Sequence, residues 1–152
     1  MDAWPIMLRF TVYGDPRRFA LKRARARRQG ATARVYDPPE NLSAKDEVKA
    51  AAMRQTPRPI PPHEGALMLH VVAHVPVPKS FSKRKRSAVI EGTIYPTTRP
   101  DLSNIVKLIE DALNGIYYRD DAQFCHVVIE KRYAAETPAL DVTIRQMPGG
   151  NT

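Results

Sequence analysis

Residues Leu8-Arg9-Phe10-Thr11-Val12-Tyr13 alternate in side-chain type, are rich in β-formers and stop at Gly14-Asp15-Pro16, so the pattern predicts an opening strand. Ala33-Arg34-Val35-Tyr36 predicts a short second strand, ended by Asp37-Pro38-Pro39. Ser43 and Asp46 have the N-cap and N3 spacing of a capping box, which predicts a helix from about Ser43 to Gln55. Pro57, Pro59, Pro61 and Pro62 end it, because they lack the amide hydrogens a helix interior needs, and they form an extended connector. Leu67 to Val75 is nearly continuous in apolar and β-branched residues and predicts a central strand. From Asp101 to Asn114, Leu102, Ile105, Leu108, Ile109, Ala112 and Leu113 recur at helical spacing, with Gly115 as the stop. Two more strands, roughly Phe124 to Tyr133 and Leu140 to Arg145, close the pattern. The expected fold is α/β (α+β): a single compact domain over residues 1–147, a short mixed β-sheet with two main helices, and a flexible tail at 148–152.

Composition adds constraints rather than elements. A chain of 152 residues can bury a core without disulfides, and the single cysteine, Cys125, excludes both an internal disulfide and a cysteine-rich zinc module. No run approaches the roughly 20 apolar residues of a membrane span, and Met1-Asp2-Ala3-Trp4-Pro5 lacks a signal peptide's basic start, so a cytoplasmic location is expected. The formal net charge of +8 points to a polyanionic partner.

That charge is concentrated. Arg17, Arg18, Lys22, Arg23, Arg25, Arg27 and Arg28 crowd into residues 17–29 with too few apolar neighbours for a buried face, which predicts a mobile basic loop. Lys79, Lys83, Arg84, Lys85 and Arg86 form a second basic loop at residues 79–87, interleaved with Phe81 and serines. Both loops are expected to grip nucleic-acid phosphates with a steep salt dependence. Phe81 or Tyr95 could stack on an unpaired base, although an aromatic near a strand end is more often core; Trp4 is expected to pack against the first strand. His63, His70, His74 and His126 are scattered and read as packing residues, His70 and His74 falling on one strand face.

Carboxylates amid so much positive charge are the informative exception, because a phosphate-binding surface gains nothing from them unless they hold a cation. Asp101 opens the 101–114 helix and Asp120-Asp121 lies just beyond it. From spacing alone, Asp101 is equally a helix-start residue favoured by the dipole, and Asp120-Asp121 a polar turn.

The run RPDLSNIVKLIEDALNGIYYRDDAQ, Arg99 to Gln123, closely resembles the signature of RusA-type Holliday-junction resolvases, approximately RPDxDNxxKxxxDALNG followed by a short linker and DDAQ. Weaker similarity reaches the N-terminal half: a strand, a Gly-x-Pro turn, a basic stretch and a Val-Tyr strand before a helix. The resemblance implies a homodimeric, Mg²⁺-dependent endodeoxyribonuclease, with Mn²⁺ as a substitute, that binds four-way DNA junctions and nicks opposing strands. It also implies a bacterial or phage source. Asp101 and Asp121 match family metal-binding aspartates, Lys107 the lysine needed for cleavage, and Arg99 joins the DNA-binding set. Asp101 and Asp121 are then expected to converge in space around one ion.

Ser103 departs from the pattern, standing where the family usually has a second aspartate. Glu110, seven residues on, lies within about 20 degrees of the same helical face and is the candidate replacement metal ligand, with an axial gap of about 10 Å against it. Asp111 belongs to the DALNG segment and is assigned to helix-end or packing contacts. Two rival readings stay open: a junction-binding protein whose catalysis is impaired by Ser103, and a basic RNA-binding accessory protein.

Overall fold

The computed structural model describes residues 1–149, so Gly150, Asn151 and Thr152 of the expected tail lie outside the described residues. A four-stranded mixed sheet forms the centre, in the order β1 (Ile6–Tyr13), β6 (Ala139–Gln146), β4 (Leu67–Val75), β5 (Phe124–Tyr133). β4 and β5 are parallel, whereas β6 runs antiparallel to both β1 and β4. Two helices, α1 (Pro39–Gln55) and α3 (Leu102–Leu113), cover one face of this sheet. A single α+β domain with a mixed sheet is therefore found as expected, although with a third helix, α2 (Lys83–Glu91).

The core follows from side-chain periodicity. Leu67, Leu69, Val71, Ala73 and Val75 are buried on one face of β4, and Leu8, Phe10 and Val12 repeat the alternation on β1. Ile105, Leu108, Ile109, Ala112 and Leu113 supply the apolar stripe of α3. The matching stripe of α1 is mostly alanine, with Ala44, Val48, Ala51 and Ala52 buried, which lets this helix sit close to the sheet and to α3.

The end of α1 also seals a sheet edge. Gln55 accepts from the Thr11 amide through Oε1 (2.9 Å) and donates to the Thr11 carbonyl through Nε2 (2.7 Å). The Thr56 hydroxyl donates to the Arg9 carbonyl at 2.7 Å and accepts from the Arg9 amide at 3.3 Å. The outward-facing main-chain groups of β1 are thus satisfied by side chains.

Several local expectations are corrected. The first basic segment is not a loose arm: Pro16–Phe19 forms a 3₁₀ turn anchored by the buried Phe19, and Arg25–Gln29 is a strand, β2, paired antiparallel with β3 (Thr32–Tyr36). No apolar alternation marked β2, because every residue of this hairpin is exposed. The helix expected from Ser43 begins instead at Pro39, where proline's fixed φ suits the first helical turn, leaving Asp46 inside the helix. The second basic segment is helical rather than looped. The Ser82 hydroxyl accepts from the Lys85 amide at the start of α2, and Gly92 closes it with φ +72°. Trp4 packs edge-on against His126 of β5, with ring centres 6.2 Å apart. His74 lies 2.8 Å from Asp141 and His70 3.9 Å from Glu130 on the half-exposed sheet face, so these histidines contact carboxylates and not the core. Phe81 is occupied by Tyr133 (5.3 Å, edge-on), while Tyr95 is exposed.

Candidate active site and DNA interface

Residues 99–123 wrap both ends of α3. At its start, Asp101 occupies the N-cap position with an extended backbone, its main-chain carbonyl accepting from Asn104 and Ile105. Lys131 of β5 fixes the segment before it by donating to the carbonyls of Thr98 and Pro100. A trough of about 1010 Å³ opens beside Asp101. Arg17, Lys22, Arg23, Arg99 and Lys107 line it together with Ser103, Asn104 and the single carboxylate of Asp101. Such a surface focuses a positive field on anything that enters.

The wall carrying Lys22 is held by Asn41, the one buried polar side chain of the core. Its Oδ1 accepts from the Lys22 amide (2.8 Å) and its Nδ2 donates to the Lys22 carbonyl (2.9 Å) and to Asp37 (2.7 Å). The Leu21 amide donates to the Asn104 carbonyl at 2.9 Å, tying this wall to α3. Neither role was visible in the sequence, because a lone asparagine carries no periodic signal.

At the far end of α3 the polypeptide turns through Gly115, whose φ of +78° suits glycine. The buried Tyr118 hydroxyl donates to the Glu110 carbonyl at 2.8 Å, and burial pushes its ionisation well above the usual tyrosine range. Gln123, the last residue of the DDAQ motif, is a clamp: its Oε1 accepts from the amides of Arg119 and Asp120, and its Nε2 donates to the carbonyls of His63 and Gly65. That clamp presents Asp121 beside Glu110. Burial, then the charges of Asp121 and Asp111, raises the Glu110 carboxyl above its ordinary range. The hydrogen bond to Asp120, with burial and the charges of Asp120 and Asp111, does the same for Asp121. Asp111 is 3.8 Å from Lys45 of α1.

The expected convergence of Asp101 and Asp121 is not met within one protomer. The helix between them has 12 residues, which sets its two ends about 18 Å apart. Among the described residues, no three His, Cys, Asp or Glu side chains are grouped to hold a metal ion. Glu110 lies near enough to Asp121 for their charges to interact, and it is not part of the trough lining beside Ser103. Ser103, Lys107 and Glu110 nevertheless share one polar face of α3, running from the trough toward Asp121.

The basic residues divide according to their partners. Arg17 is paired with Asp15 (2.6 Å), Arg18 with Glu47 (2.6 Å) and Arg25 with Glu40 (3.2 Å). Arg86, although exposed, donates to the carbonyls of Phe81, Pro78 and Lys79. Lys85 lies over the Phe81 ring. Lys22, Arg23, Arg27, Arg28, Lys83, Arg84, Arg99 and Lys107 take part in no ion pair among the described residues.

A small α+β domain with a cationic trough beside an aspartate-capped helix belongs with DNA-processing nucleases, and sequence comparison gives the family. The pattern described as Endodeoxyribonuclease RusA matches residues 17–145, and the chain belongs to that family. It is also similar to a protein of Bacillus subtilis (strain 168) described as "Uncharacterized protein YqaN", 34% identical over 142 residues that cover 92% of this chain and 96% of the relative. No helix of the described residues is long and apolar enough to cross a membrane.

Proposed function

We propose that this protein nicks four-way or related branched DNA as a homodimer, using a divalent cation, and that each site draws Asp101 from one subunit and Asp121 from the other. The observation that carries this reading is Asp101 at the N-cap of α3, with the turn bearing Asp121 tied to the helix's far end through the Tyr118–Glu110 hydrogen bond. A two-fold axis apposing two such helices antiparallel sets the start of each against the end of the other. Membership of an endodeoxyribonuclease family supplies the reaction class.

The donor chemistry suits a hard cation: all the candidate ligands are carboxylates, and those at the Asp121 end are raised in pKa by mutual repulsion and burial. Asp101, Asp121 of the partner subunit and Glu110 of the partner subunit would hold Mg²⁺ or Mn²⁺, so Ser103 needs no carboxylate of its own. Bound there, the ion would supply Lewis acidity toward a phosphate oxygen and an acidified water. The protein's own work is positioning. Arg17, Lys22, Arg23 and Arg99 seat the phosphodiester in the trough, and Lys107 directs its ammonium to the oxygen on which charge develops. Lys83 and Arg84 on α2 reach a neighbouring stretch of backbone.

Mixed dimers test the arrangement. Asp101→Asn and Asp121→Asn homodimers should each lose junction nicking by about 100-fold or more while still binding. A dimer containing one of each retains one intact site and should regain nicking of a single strand. Mixed dimers as inactive as the parents would show that both aspartates act within one subunit. Near wild-type cleavage by Glu110→Gln would remove Glu110 from the ligand set.

One rival keeps a specific observation in its favour: Ser103 places a hydroxyl in the trough where the family pattern has a carboxylate. Tight junction binding without nicks at any Mg²⁺ or Mn²⁺ concentration would establish that version.

A further inference from the structure

The hairpin β2–β3 is unlike every other strand pair in the molecule: all ten of its residues are exposed, so it buries no core that would account for its form. Its side chains are nevertheless sorted. The register pairs Arg25 with Tyr36, Arg27 with Arg34 and Gln29 with Thr32. Residues two apart on a strand share a face, so these six polar groups form one side. The other side carries Ala26 opposite Val35 and Arg28 opposite Ala33.

On the polar side, Arg27 faces Arg34 directly across the ribbon. Like charges in that position are destabilising. Neither residue has an acidic partner among the described residues, whereas Arg25 at the root is paired with Glu40. An intramolecular counter-charge is therefore lacking where the ribbon most needs one. The ribbon also grows out of the trough wall, since Lys22 and Arg23 line the trough and Arg25 begins β2.

We infer that the Arg27–Arg34–Tyr36 side of this ribbon lies in the major groove of a duplex arm flanking the cut phosphate, with DNA phosphates as the missing counter-charge. A two-stranded ribbon fits the groove's width of about 12 Å. Each strand has five residues, a reach of about 17 Å beyond the domain surface. This rests on the DNA-cleaving reading above but assigns a face and two residues, Arg34 and Tyr36, that it does not use.

The experiment compares single substitutions of equal charge change in the full-length protein, binding labelled four-way junctions and linear duplex over a salt series with metal withheld, and then scores nicking of the junctions after Mg²⁺ is added. Because these side chains bury nothing, the variants should fold. Arg27→Ala and Arg34→Ala should each weaken binding to both DNAs several-fold and lower the slope of log K against log salt by about 0.9. Arg28→Ala, on the opposite side, should weaken binding and lower that slope by less than either of them. Equal effects of Arg28→Ala and Arg27→Ala would overturn the facial assignment, and loss on junctions alone would overturn the placement in a duplex arm. Wild-type protein that binds and nicks junctions while the ribbon variants bind like it would sink the ribbon proposal only. Wild-type protein that neither binds nor nicks would sink the nuclease reading itself.

Discussion

Helix α3 and the β2–β3 ribbon carry charge in opposite ways. α3 buries five apolar side chains in one stripe, so the positions of Ser103, Lys107 and Glu110 along its other side are fixed by the core beneath them. The ribbon buries nothing, and its arginines owe their placement to strand pairing alone. Groups that must be placed within fractions of an ångström belong on the first kind of support. Groups that collect a polymer need only the second, since counterion release is insensitive to fine geometry.

The contrast can be broken by substitution. The largest stability effect is expected under α3: Leu108→Ala, at a fully buried position, should lower the unfolding free energy by about 2–5 kcal/mol in denaturant titrations. Asn41→Ala comes next, because it leaves both main-chain groups of Lys22 without their partner; a cost of about 1–3 kcal/mol is expected. That variant also sharpens the comparison, since it frees the ribbon's root and the Lys22 wall of the trough while leaving the core under α3 intact: junction affinity and the cleavage rate of bound substrate should both fall. Tyr118→Phe removes the hydroxyl that donates to the Glu110 carbonyl, and about 0.5–1.5 kcal/mol should be lost. Arg34→Ala should change stability by no more than about 0.5 kcal/mol in either direction. A large destabilisation by Arg34→Ala would mean that the ribbon has a folding role after all.

The same contrast explains what the sequence made legible. β1, β4, β5 and α3 were readable because burial imposes a period on their residues. β2 and α2 were not, because each is exposed and its side chains follow charge instead of a core. In α1, Pro39 won over the Ser43 and Asp46 spacing because the first helical turn needs no amide donor. At the site, the motif pointed to Asp101, Lys107 and Asp121, but not to their placement about opposite ends of a helix of 12 residues, about 18 Å long. The clamp made by Gln123 and the anchor made by Asn41 depend on loops far apart in sequence, and no local pattern encodes such meetings.

The side-chain seal that Gln55 and Thr56 place along β1 makes the sheet one-sided: its β1 rim is closed at Arg9 and Thr11, while β5 forms the opposite rim. Edge-to-edge growth needs two open rims per molecule to continue. With the β1 rim shut at those two residues, edge-to-edge strand addition between molecules is expected to stop at a pair joined through β5.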